Sequence, residues 1–134
     1  MLTMNPASRI TVLLQLIAFH SLAVGLGLII ISSQYLELYG FKNYSSSFFQ
    51  AQGGVFHIVM CIAYFMASKN LNSAIIIRFV ISAKTVAVIF LFVYFLYAES
   101  IWIILLSAIA DGLMALLIFI FYKQYLHFIG QTRE

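Results

Sequence analysis

The chain has 134 residues, 64% of them apolar and 8% charged, with a mean hydropathy of +1.07, a balance that excludes a water-soluble globular domain. Seven Lys or Arg against four Asp or Glu leave a net charge of +3, spread thinly and without a basic run, which excludes nucleic-acid binding. The single cysteine, Cys61, excludes an internal disulfide framework and a multi-cysteine metal site.

Residues 1–9 carry one charge ahead of an apolar stretch that is too long for a signal peptide and has no convincing cleavage site after it, so a retained first helix is expected. Pro6, the single proline, stands where its fixed φ suits the opening of that helix. Uninterrupted apolar stretches long enough to cross the bilayer, which takes about 20 helical residues, fall at residues 10–31, 48–67, 74–97 and 101–122. They lack the apolar–polar alternation of barrel strands, so helices are the only spanning structure that satisfies the backbone. Residues 32–47 are polar and aromatic, and Tyr35, Leu36, Leu38, Tyr39 and Phe41 predict a short piece lying in the interface rather than a free loop. The connections at 68–73 and 98–100 are tight. They predict an all-α, single-domain, up-down-up-down antiparallel bundle of four transmembrane helices.

Positive charge sets the orientation. Arg9, Lys69, Lys123 and Arg133, with Arg78 close enough to snorkel, lie on one side against Lys42 on the other, which predicts both termini in the cytoplasm. Asn43-Tyr44-Ser45 matches a glycosylation acceptor on the far side. Residues 123–134, with Tyr125, Leu126, Phe128 and Ile129, are expected to continue the fourth helix along the membrane surface. Phe90, Phe92, Tyr94, Phe95, Tyr97 and Trp102 read as an aromatic belt at a membrane boundary.

His20, His57, Lys84 and Asp111 each fall at the centre of one span, near the midplane, where a charge costs at least ~2.5 kcal/mol. The turn between the third and fourth spans centres on Glu99, so Lys84 and Asp111 lie within about one helical turn of equal depth. They are expected to pair, with Ser107 and Ser82 or Thr85 as additional hydrogen-bond donors. Such a pair is either a structural ion pair that fixes the register of two helices or part of a proton or ion relay. His57 belongs to a stripe with Gln50, Gly53 or Gly54, Cys61 and Tyr64 at spacings of three and four residues, hence on one face. Glycines one turn from His57 let a neighbouring backbone or a flat cofactor approach closely. His20 has Gln15 and Ser21 nearby and Gly25 and Gly27 beyond.

Two histidines at equal depth are the minimum for bis-histidine haem b, and the same residues suit a quinone. The alternative is that each is neutral and hydrogen-bonds to Gln52, Asp111 or a carbonyl. His20, His57, Gln52, Cys61 and Tyr64 are therefore the candidates for a cofactor, ligand or proton-relay site. Apart from haem iron on His20 and His57, no metal is expected, because the remaining ligand types are scattered over different helices. No phosphate loop, nucleophile elbow, paired carboxylates or zincin motif is present, so no catalytic residue is assigned and the chain is not expected to be an enzyme by itself.

The paired glycines and later aromatic of the second helix (Gln52-Gly53-Gly54 through Tyr64), the lysine of the third (Lys84) and the Asp111-Gly112 of the fourth resemble those of small four-helix bacterial integral membrane proteins of the DoxX-like kind, over most of the chain. That group includes subunits of quinone-linked sulfur oxidoreductases. The resemblance implies a compact four-helix bundle in the bacterial inner membrane. Three functions are consistent with these features. The first is an accessory subunit of a larger membrane complex, respiratory or otherwise electron-transferring, with other membrane subunits or its own copies as partners. The second is a haem- or quinone-binding redox bundle using His20 and His57. The third is a small proton-coupled transporter.

Overall fold

The computed structural model describes residues 5–41 and 47–131. The expected glycosylation triplet Asn43-Tyr44-Ser45, and Lys42 and Arg133 of the charge argument, lie outside these residues. The described residues form four long helices, α1 (Pro6–Ile30), α2 (Ser47–Lys69), α3 (Ala74–Tyr97) and α4 (Trp102–Gln131), and a 3-10 helix, Ser33–Tyr39, with no strand among them. All four long helices are long and apolar enough to cross a membrane, as in an integral membrane protein.

Local chemistry explains where the helices begin and end. The Oδ1 of Asn5 accepts a hydrogen bond from Ser8 N (2.8 Å) and Pro6 takes the first helical position, so α1 starts four residues before its apolar stretch. After α2, Asn70 N donates to Ala67 O (3.2 Å) and the Asn70 side chain to Met66 O (2.9 Å), closing the turn that leads to Ser73 and α3. After α3, Ala98 N donates to Tyr94 O (2.9 Å) and the Ser100 hydroxyl to Phe95 O (3.1 Å). Residues 123–131, expected to continue the fourth helix along the membrane surface, are part of α4, and Tyr125 is buried in the core with Ile129 packed against it.

Helix α1 packs mainly on α2 and also on α4, α3 packs mainly on α4, and the seam between α2 and α3 is the loosest of these. The core joins Ile10, Leu14 and Ile17 of α1 to Tyr64 and Ala67 of α2, Ile77 and Val80 of α3, and Ile118 and Tyr122 of α4. Much of the outer surface is apolar: Phe19 is 71% exposed and Ile75 83%, a surface suited to lipid rather than water. The connection after α1 is ordered as a 3-10 helix with Leu36 buried. It ends at Gly40, whose φ of +100° only glycine adopts without strain. A Cβ there would stand 2.9 Å from Ile101 Cγ2, so the connection rests against the start of α4.

One side-chain bond ties the α2–α3 turn to α4: Tyr125 O–H donates to Asn72 Oδ1 at 2.6 Å. Tyr125→Phe keeps the ring and removes the bond, and is expected to lower bundle stability by about 1 kcal/mol. Thermal unfolding in detergent reads the change, and an unchanged midpoint would show that the bond contributes nothing.

Candidate functional site

The site is built on two helix pairs. In the first, α1 and α2 touch backbone to backbone: a Cβ on Gly25 would lie 2.8 Å from Gly54 O, and one on Gly54 would lie 2.6 Å from Gly25 O. Of the two glycines that suggested a close approach, Gly54 makes it, whereas the nearest neighbour to a Cβ on Gly53 is Leu28 Cδ1 at 3.9 Å. The body brought close is the backbone of α1, not a flat cofactor. One turn away, the Ser21 hydroxyl and His57 Nδ1 are 3.4 Å apart. Two turns from His57 along α2, the buried Gln50 donates from Nε2 to Leu28 O (2.9 Å) and Ile31 O (2.7 Å), gathering two carbonyls at the end of α1.

In the second pair, Lys84 of α3 forms an ion pair with Oδ1 of Asp111 on α4. The side chains are 4% and 16% exposed, so each charge is compensated where water is scarce. Tyr64 of α2 lies beneath this pair, its ring centroid 5.6 Å from Lys84 Nζ, which adds the attraction of an aromatic face for a cation. The hydroxyls expected to support the pair do not do so. Thr85 donates to Ile81 O (3.0 Å) and Ser107 to Ile103 O (2.8 Å), each on its own helix, and Ser82 is exposed. A helical Ser or Thr satisfies its hydroxyl locally at the carbonyl four residues earlier, before any partner across the bundle is reached.

Two cavities open between the helices. The smaller, about 360 Å³, is floored by Ser21, His57, Tyr64, Lys84 and Asp111 and walled by apolar side chains such as Phe56, Met60 and Phe90. The larger, about 720 Å³, runs from His57 and Asp111 past His20, Gln50 and Ser107 to Leu36, Tyr39 and Phe41 beside the 3-10 helix. His57, Leu91 and Asp111 line both. Apolar walls with a few convergent polar groups are the usual make-up of a small-molecule site.

The remaining candidates are distributed around this centre. His20 is exposed and lines only the larger cavity; Tyr64 is buried and lines only the smaller. Cys61 packs half-buried against the core and lines neither cavity. Gln52 is exposed and also lines neither, so it is no partner for His57. Gln50 lines the larger cavity instead, bonded to the end of α1 rather than to His57. The signal was in the spacing, since seven residues return a helix to the same face and five do not. His57 meets Ser21 rather than Gln52 or Asp111.

Both histidines of the expected haem site line the larger cavity. Axial ligation brings two imidazoles to iron from opposite sides. His20 and His57 line one cavity from two helices whose backbones touch about one turn from His57. Among the described residues, no group of three or more His, Cys, Asp or Glu is arranged to hold a metal ion. No family model, curated protein or solved structure matches the chain.

Proposed function

We propose that this chain is a small membrane subunit that holds a lipid-soluble molecule between its helices and catalyses no reaction by itself. The observation that carries the proposal is the meeting of two cavities at His57 and Asp111, next to the buried Lys84. Ionisable groups at such depth cost energy that apolar residues would not, and intramembrane polar groups mark ligand or ion sites by default. The Lys84–Asp111 pair holds α3 and α4 in register while presenting polarity to whatever fills the cavities.

The bundle is read as up-down-up-down and antiparallel. Ser21 meets His57, Gly25 meets Gly54 and Leu28 meets Gln50, so numbers fall on α2 as they rise on α1. Lys84 with Asp111 and Asn72 with Tyr125 follow the same rule on α3 and α4. Arg9, Lys69 and Lys123 then gather at one end, which supports both termini on the cytoplasmic side. The DoxX-like residues, Gln52-Gly53-Gly54, Lys84 and Asp111-Gly112, support a setting in the bacterial inner membrane within a larger, electron-transferring complex that handles quinone-class molecules.

Extraction from the native membrane in mild detergent, followed by mass spectrometry of co-migrating polypeptides, tests the subunit assignment. Stoichiometric larger partners are expected. A chain that migrates alone, or only with its own copies, contradicts it.

A further inference from the structure

We infer that the larger cavity selects a neutral, lipid-soluble molecule that donates hydrogen bonds, and that Gln50 and Asp111 accept them. The inference rests on the ligand-holding reading above and adds the chemistry of the head group. It follows from counting the donors and acceptors that line the cavity.

Gln50 Nε2 is committed to two carbonyls, Leu28 O and Ile31 O. Carbonyls cannot donate, so the nitrogen end of the amide is fixed and Oε1 is the end left over. Gln50 is 7% exposed and its Oε1 is buried with no hydrogen-bond partner among the described residues. A buried carbonyl without a donor is costly and rare in a folded protein, and a ligand hydroxyl would relieve it. Asp111 gives Oδ1 to Lys84, and a carboxylate has further lone pairs on both oxygens. Ser107 spends its proton on Ile103 O, which leaves its oxygen as an acceptor as well.

Three groups of the lining are thus acceptors, because the Asp111 carboxylate has no proton to give and Gln50 Nε2 and the Ser107 hydroxyl already donate within the protein, while the lining's own donors are His20, His57 and Tyr39. Charge argues for neutrality: Lys84 offsets Asp111, so no net charge is left in the wall to hold an ion. Gln50 lies seven residues, about 10 Å of helix, from His57, so the acceptors are spread along the cavity toward the residues that it shares with the smaller one. His20, Tyr39 and Ser107 are the exposed polar groups of the lining.

A matched pair of probes tests this: 4-nonylphenol and its methyl ether, which share shape and tail and differ in the single O–H. Trp102, the only tryptophan, lies beside Gly40 next to the cavity, so its fluorescence in lipid nanodiscs reports occupancy. The phenol is expected to saturate about tenfold tighter than the ether. Gln50→Met, which removes one of the two acceptors, should shrink that preference and leave Asp111 to hold the remainder. Should Gln50→Met fail to fold, Ala110→Phe, which fills the same cavity from α4, should abolish saturable binding of both probes. Equal binding of phenol and ether to the unaltered protein overturns the donor preference and leaves the ligand-holding reading standing. Saturable binding of neither probe overturns both.

Discussion

Gly54→Ala is expected to destabilise the bundle, although alanine is the better helix former by about 1 kcal/mol. The new methyl would stand 2.6 Å from Gly25 O and 2.7 Å from Ile29 Cγ1. The first of these is backbone, so relief requires α1 and α2 to separate, and overpacking of this kind costs typically ~1–3 kcal/mol. Separation would also stretch the two bonds from Gln50 to the end of α1. Gly54→Leu is expected to abolish the α1–α2 pairing altogether. The neighbouring Gly53 is the internal control, because a Cβ there meets nothing closer than 3.9 Å. Gly53→Ala should therefore leave stability unchanged or raised. Circular dichroism through a thermal ramp in detergent compares the two, and equal behaviour would show that the helices do not touch at Gly54.

The second large effect concerns the ion pair. Lys84→Met alone strands the Asp111 carboxylate beside an apolar side chain, which typically costs ~3–5 kcal/mol. Combining Lys84→Met with Asp111→Leu removes both charges and replaces them with side chains of similar bulk, so the double variant should be more stable than the single one. The non-additivity is the diagnostic, since residues in one pair couple and distant ones do not. Losses that simply add, measured by the same thermal ramp, would show that the two side chains do not act together.

These two features differ in how far the sequence reveals them. The Lys84–Asp111 relation follows from a tight turn and a constant helical rise, both of which can be read along the chain. The boundaries 74–97 coincide with α3 because Ser73 on one side and the 98–100 turn on the other punctuate the helix where its apolar run also ends. At α4 the two criteria part. Hydropathy ends near Tyr122, whereas backbone hydrogen bonding carries on to Gln131, because nothing in residues 123–131 breaks a helix. The Gly25–Gly54 crossing was legible only as a tendency of glycines to allow close approach, since which glycine meets which depends on how two helices cross. The same limit explains Gln50. Its spacing puts it on the His57 face, but its capping of α1 carbonyls requires the position of the end of another helix. The failure of Ser107 and Thr85 to reach the ion pair was foreseeable from local chemistry, because a helical hydroxyl has a carbonyl within reach on its own helix.

The most direct measurement is native mass spectrometry of the protein gently extracted from its own membrane, alongside the Ala110→Phe variant, whose ring would occupy the larger cavity. A ligand-holding subunit gives a constant small-molecule mass added to the polypeptide, and the addition disappears in Ala110→Phe. The bare polypeptide mass, or an added mass that Ala110→Phe leaves in place, would contradict a ligand held between the helices at His57 and Asp111.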